Sequence, residues 1–353
     1  MDASILLIWQ NWHEDLSDEE FYRKELQIGE MAETLGYDSI WSVEHHFRSY
    51  GMCPDNVAVL AYLAARTETI SLGTGAVILP WNDPLRVAEK VTILDHLAGG
   101  RVKFGIGRGL SRREYSRFGI DMGESRDRFT ESAAMIRQAL ETGVIQGDGP
   151  YYPQAETEIR PRPRGSFADR TWSVAMSQDS ADAAADMGVG MLAFVQGPIE
   201  QHAPMIESYR EQYRAKHGTE APPPLLALMT YCHEDPDVAE EHAKRWMSQV
   251  FLAVVDHYEF TGTHFDETPG YQSYGEGARL IREAGLEAVT ENYISGQLWG
   301  TPEQIVAQLA HIKDVLGECE PCMIFSYGGL PFDLAEESYK LFSKEVLPEL
   351  RKI

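Results

Sequence analysis

Eight short runs of apolar, strand-forming residues recur along this chain, and helical patterns lie between them. That alternation constrains the fold more than any other feature. The runs are Ser4–Trp9, Tyr37–Ser42, Ile70–Gly75, Val102–Gly107, Thr171–Met176, Val189–Phe194, Leu225–Tyr231 and Cys322–Tyr327. They are continuously apolar rather than alternating, as strands are when both faces of a parallel sheet are covered. Ser17-Asp18-Glu19-Glu20 has the spacing of a capping box. After it, Phe21, Ile28, Met31, Ala32 and Leu35 fall on one helical face, and Gly36 closes the helix. The same signals predict helices over Pro84–Leu97, Glu124–Leu140, Ser180–Met187, Ile199–His217, Pro236–His257 and Phe332–Leu347, the last stopped by Pro348. Thr301-Pro302-Glu303-Gln304 is a second capping box and opens a helix that ends near Gly317.

Eight strands, each followed by a helix, predict an α/β fold of the (β/α)8 TIM-barrel type, with a doubly wound open sheet as the structural rival. At 353 residues, 43% of them apolar, the chain is able to fill one such barrel, so a single domain over 1–353 is expected. Two insertions stand out. Gln146–Arg170 is rich in Pro, Gly and Arg, and Tyr258–Gly300 is too long for a simple connection, which makes 258–300 a candidate lid or substrate wall.

Charge narrows the function. With 31 Lys and Arg against 55 Asp and Glu, the net charge is −24, which argues against a nucleic-acid partner or an anionic membrane surface. Four cysteines make no disulfide framework. No signal peptide opens the sequence, and no apolar stretch reaches about 18 residues, so a cytoplasmic enzyme is expected.

In a barrel of this kind the active site lies at the C-terminal ends of the strands. Glu44-His45-His46-Phe47 follows strand two, Gly75-Ala76 strand three, Gly107-Arg108-Gly109 strand four, Ser177 and Ser180 strand five, and Gly328-Gly329 strand eight. Gly105-Ile106-Gly107-Arg108-Gly109 looks like a phosphate loop but is neither G-x-G-x-x-G nor followed by a P-loop lysine. Residues 101–128 hold eight Lys and Arg and four acids, a +4 island suited to gripping one phosphate; a solvated helix face is the alternative. Ser177 and Ser180, where a strand enters a helix, suit an anion as well as they suit plain helix capping. His45 and His46 are adjacent on an extended segment, so they point apart and do not share a metal ion; no metal site is expected. One histidine at the barrel mouth suits acid–base work or a satisfied structural role. Cys319-Glu320-Pro321-Cys322 precedes a strand instead of starting a helix, so no redox role follows. The aromatics between His257 and Trp299 suit an apolar substrate or a stacked ring, or ordinary packing.

Several longer motifs, in order, resemble the bacterial luciferase-like flavin monooxygenases. They are Gly36-Tyr37-Asp38-Ser39-Ile40-Trp41 with Glu44-His45-His46-Phe47, Leu72 to Pro80, Phe104 to Leu110, Phe118-Gly119-Ile120-Asp121-Met122 through Ser125-Arg126, Trp299-Gly300-Thr301-Pro302-Glu303, and Glu345-Val346-Leu347-Pro348. The resemblance implies a TIM barrel that uses FMN, supplied as FMNH2 by a separate NAD(P)H:flavin reductase, to oxygenate a small, largely apolar organic substrate with O2 through a flavin C4a-hydroperoxide. It places the catalytic histidine at His45 and the flavin phosphate on Arg108, Arg126, Ser177 and Ser180. It places a non-prolyl cis peptide at Gly75–Ala76, against the ring. Gly107 stands where luciferase α chains carry a reactive cysteine, and Met176 where a glutamate lies near the phosphate, so both are cofactor-side departures. A homodimer is implied. The family also contains F420-dependent oxidoreductases, for whose anionic tail Arg160, Arg162, Arg164 and Arg170 are candidates, and non-catalytic flavin-binding proteins.

Overall fold

Parallel pairing runs unbroken through eight strands in the computed structural model, which describes residues 1–13 and 15–353. These are β1 (Ser4–Leu7), β2 (Ser39–Ser42), β3 (Ser71–Thr74), β4 (Val102–Gly107), β5 (Thr171–Val174), β6 (Gly190–Phe194), β7 (Leu225–Cys232) and β8 (Glu320–Ile324). Each pairs with the next, and β8 returns to β1 through Ser4↔Cys322 and Ile5↔Met323. The sheet is therefore closed, a (β/α)8 barrel, and the open-sheet rival is excluded. All eight apolar runs are barrel strands. Four of them stop one to three residues short of their expected C-terminal ends, because those residues turn into the loops of the mouth.

The helical signals hold where a buried face and a cap coincide. Ser17 and Thr301 both form complete capping boxes, and Gly36 ends its helix in the left-handed conformation. Pro84–Leu97 and Pro236–His257 have the predicted bounds. Two expectations are corrected. The helix predicted from Glu124 runs Ser125–Thr142 and is preceded by a separate helix, Arg112–Phe118, started by the Ser111 side chain. Pro348 does not stop the last helix: one wide, π-type turn at Phe342–Val346 leads into Leu347–Leu350, where proline occupies the first turn and needs no N–H partner. Two of the strands lying outside the eight runs, Val144–Gly147 and Gln154–Glu158, form an antiparallel hairpin.

The 258–300 segment is mainly helical, with helices at His264–Glu267, Gln272–Ala284 and Leu286–Ser295, and then a short strand, Leu298–Gly300, on the end of β7. Among the described residues no helix is long and apolar enough to cross a membrane.

Candidate active site

A cavity of about 420 Å³ opens between the C-terminal ends of the strands and the 258–300 segment. That volume lies in the range of small-molecule and cofactor sites. His45, Gly75, Ala76, Gly107, Arg108, Met176 and Ser180 all line it. Ser177 and Arg126 do not; they stand beside it. Gly328 and Gly329 are also outside the lining, and the Gly328 N–H instead donates to Gln10 Oε1 at 2.7 Å.

One wall is a shelf built by the loop after β3. The Gly75–Ala76 peptide is cis, as the resemblance implied. Two side chains clamp this loop. The Asn56 amide donates to the carbonyls of Ser42 at 3.0 Å and Ala76 at 3.1 Å. Buried Glu44 accepts from the Ile78 N–H at 3.1 Å, the Trp81 indole at 2.7 Å and the Asn82 amide at 2.9 Å. Gly107 faces the shelf from β4, where a Cβ would lie 3.4 Å from the Ala76 methyl and 2.9 Å from Ile78. A larger side chain there, including the cysteine of the luciferase pattern, would crowd the surface that glycine keeps flat.

His45 and His46 diverge, as expected of adjacent residues. His46 turns its Nε2 to Glu44 at 3.1 Å, and His45 turns its Nδ1 to Glu114 Oε1 at 3.2 Å. The His46 backbone N–H donates to the same Glu114 oxygen at 2.8 Å. Burial alone would raise the Glu114 carboxyl, but electrostatic attraction to the neighbouring His45 and His257 imidazoles and the hydrogen bond from His45 outweigh it and hold the group well below the usual carboxylate range. A carboxylate at Nδ1 selects the tautomer with its proton there, which leaves the Nε2 lone pair free. That Nε2 lies 3.5 Å from the Tyr258 hydroxyl, and both residues line the cavity.

The phosphate side is more complicated than the sequence suggests. Much of the basic island is neutralised locally: Arg112 pairs with Glu259 at 2.7 Å, Arg113 with Asp256 at 3.5 Å and Arg128 with Glu124 at 2.9 Å. Arg126 pairs with Asp179 at 3.1 Å. Arg108 has no carboxylate partner among the described residues. Its guanidinium donates to the Gly270 carbonyl at 2.9 Å and lies 4.0 Å over the Tyr271 ring. A Cβ on Gly270 would fall 2.9 Å from Arg108 and 3.3 Å from Arg126, so the two arginines converge on this point. Ser177 and Ser180 bond to each other at 3.0 Å, and no side chain caps the helix Gln178–Met187 that they begin. Its first N–H groups stay available to an anion. Met176 lines the cavity while its sulfur meets the Phe194 N–H at 3.1 Å.

The four arginines considered for a longer anionic tail lie elsewhere. Arg170 bonds Asp95 at 2.7 Å and the Gly100 carbonyl at 3.2 Å, and Arg164 packs beside Gly100. The Arg162 carbonyl accepts from His96 at 2.8 Å, and both the Arg160 and Arg162 side chains pair with Glu158. Asp95, His96 and Gly100 precede β4, so these contacts are at the N-terminal end of the barrel, opposite the cavity.

Sequence reasoning missed the residues that hold the site. Glu114 counted only as an acid diluting a basic segment, Glu44 as part of a motif, and Asn56 and Gly270 not at all. No local pattern marks them, because each acts on a residue at least 20 positions away.

Comparison with known proteins agrees with the barrel fold. A family model described as luciferase-like monooxygenase matches residues 1–319. The alkanal monooxygenase alpha chain of Photorhabdus laumondii is 26% identical over 345 residues, covering 95% of this chain and 94% of that one. Among solved structures, the monooxygenase RslO1 from Streptomyces bottropensis is 27% identical, with a TM-score of 0.78 and 99% of each chain covered. At lower identity the barrel is shared with the oxygenating constituent of 3,6-diketocamphane monooxygenase from Pseudomonas putida, in complex with FMN (18%, TM-score 0.76, 99% and 98% covered). It is also shared with an F420-dependent secondary alcohol dehydrogenase (16%, TM-score 0.72, 99% and 100% covered).

Proposed function

The chain belongs to the luciferase-like monooxygenases, which are flavin-dependent enzymes, and on that premise we propose that it is the oxygenating half of a two-component system. It takes FMNH2 from a separate NAD(P)H:flavin reductase and uses O2 to oxygenate a small, largely apolar organic molecule. One observation carries this reading: the Gly75–Ala76 shelf, the oriented His45 and the carboxylate-free Arg108 face a single cavity.

The residues present suit FMN. Gly75, Ala76 and Gly107 give a flat surface for the ring system, and Arg108, Arg126, Ser177 and Ser180 give cationic and N–H donors for one phosphate. Bound reduced FMN supplies the two electrons that activate O2. The chain's own part is orientation and exclusion of water. Glu114 fixes the His45 tautomer, so His45 Nε2 takes or returns a proton at the reacting oxygen. Phe251, Val254, Phe260, Leu280, Ile281 and Val289 form an apolar wall across the cavity. With 258–300 acting as the lid of a one-domain barrel, that wall keeps water out during turnover.

FMN is favoured over F420 because the arginines that an extended anionic tail would use are engaged at the other end of the barrel. A cytoplasmic setting keeps the four buried cysteines reduced. A homodimer would cover the exposed Tyr62, Ile93 and Leu97 on two adjacent helices.

The test is an anaerobic titration with FMNH2 and with F420, followed by mixing with air. FMNH2 binds more tightly, bound FMNH2 reoxidises far more slowly than free FMNH2, and 18O2 places one labelled atom in the product of an accepted substrate. Tighter binding of F420, or reoxidation at the rate of free flavin with every substrate offered, overturns the proposal.

A further inference from the structure

Three side chains that are remote in sequence meet beside the cavity. His45 comes from the loop after β2, Glu114 from the helix Arg112–Phe118, and His257 from the last turn of the helix Pro236–His257. One ligand atom from each lies within 4.8 Å of the other two. His45 Nδ1 is 3.2 Å and His257 Nε2 is 3.8 Å from the same Glu114 oxygen.

The independent sign of a ligand is His257 itself. It is 1% exposed, and neither ring nitrogen has a hydrogen-bond partner. Its ring is stacked on Tyr50 with centroids 4.0 Å apart and planes 7° apart, so it is held in place. A buried imidazole with two unused nitrogens is uncommon, since buried polar atoms are nearly always paired.

We propose that His45, Glu114 and His257 form a binding site for a divalent transition-metal ion, with Zn2+ the redox-inert occupant, and that occupancy shuts off the base at His45. Two imidazoles and one carboxylate are a familiar zinc donor set. Bonds of about 2.0–2.2 Å place tetrahedral ligand atoms roughly 3.2–3.6 Å apart. Two of the contacts are near that spacing, and the site closes by drawing the two imidazoles together. His45 is 18% exposed and lines the cavity, so the fourth position is left to water on that side. The inhibition follows from tautomerism. Donating the Nδ1 lone pair to a metal moves the ring proton to Nε2, and the nitrogen facing the cavity then donates where it must accept. Metal binding stands on the cluster alone; the inhibition rests on the base role given to His45 above.

The experiment titrates the flavin-free full chain with Co2+, whose visible absorption reports low-coordinate nitrogen and oxygen ligation, and then adds Zn2+. One equivalent of Co2+ binds with that absorption and Zn2+ displaces it. His257→Gln and, as a second variant on the open side of the cluster, His45→Asn each weaken binding at least tenfold. Zn2+ inhibits wild-type turnover and is at least tenfold less potent on His257→Gln. Equal Co2+ binding by the wild type and both variants places the metal on surface histidines and overturns the site, as does the lack of any Co2+ spectrum. Loss of Co2+ binding in both variants without any Zn2+ inhibition of the wild type supports the site and removes the base role from His45.

Discussion

With Nδ1 turned to Glu114 and Nε2 turned to the cavity, His45 has a lone pair for a proton arriving from bound substrate or cofactor. His45→Ala removes that acceptor and touches none of the phosphate donors. The expected outcome is loss of product formation with FMNH2 affinity changed less than twofold, read by anaerobic fluorescence titration beside steady-state turnover. Glu114→Gln keeps a similar shape but loses the charge that fixes the tautomer. Positioning partners of this kind are worth about 10- to 100-fold, and the fall belongs in kcat, with KM almost unmoved. A matching fall in kcat and rise in flavin Kd would make Glu114 a structural support and no more. Arg108 sits on the opposite side of the ledger. Arg108→Met loses a charge-assisted bond to phosphate worth roughly 1.5–3 kcal/mol, so FMNH2 binds about 10- to 150-fold more weakly while kcat at saturating flavin is kept. Unchanged affinity would move the phosphate away from Arg108.

At the scale of elements, the connections explain both what holds the two ends of the barrel and what the sequence hides. Glu33, in the last turn of the helix Asp18–Leu35, accepts from the backbone N–H groups of Glu68, Thr69 and Ile70 and from the Thr69 hydroxyl. Slight burial pushes its carboxyl up, but these donors outweigh it and bring it down to about 2. A folded value below the unfolded one means stabilisation that is complete above about pH 4.5 and is lost as pH falls toward 2. Glu33→Gln should therefore cost about 1 kcal/mol at pH 7, allowing for solvent screening at this partly exposed site. Its Tm deficit should narrow steadily below pH 4.5; a deficit constant with pH would contradict the assignment. The 258–300 segment is tied down by the Arg108 bond to the Gly270 carbonyl, at a residue with φ +78°. Gly270→Ala strains that turn and brings its Cβ against Arg108. Faster limited proteolysis within 258–300, and a rise in KM larger than any fall in kcat, are the expected signs. Burial decides which elements were legible. The eight barrel strands and the predicted helices facing them carry continuous apolar runs or apolar stripes, whereas the short helix Asn56–Ala64 was not read. The hairpin strand Gln154–Glu158 reads QAETE, is mostly exposed, and offers no such signal. Pro348 looked like a stop because proline breaks a helix interior, whereas here it begins a new turn.

On the scale of the whole molecule, strand order alone gathers the loops after β2, β3, β4 and β5 at one mouth, which is why His45, Gly75, Arg108 and Ser180 are readable as one site from the sequence. The fold that makes those residues legible also makes their supports illegible, because closure brings Glu114 to His45 and Gly270 to Arg108 across 69 and 162 positions. The same geometry separates the two cofactor readings. Sequence proximity to β5 made Arg160, Arg162, Arg164 and Arg170 look available to an anionic tail, yet a residue just before a barrel strand lies at the end opposite the mouth. Arg170 is fixed to Asp95 and is best left alone. Arg160, Arg162 and Arg164 are more exposed, and their replacement by serine should leave the fold intact. The triple variant is expected to bind FMNH2 within twofold of wild type, because His96, Glu158 and Gly100, which these arginines contact, do not line the cavity. Screening differs between nearby and distant charges: over a barrel's length at physiological salt, about three Debye lengths of roughly 8 Å each, these charges have no appreciable field at the mouth. If the wild type binds F420 and the triple variant loses it, the tail reaches that end by a route outside the cavity, and the choice of FMN falls with it.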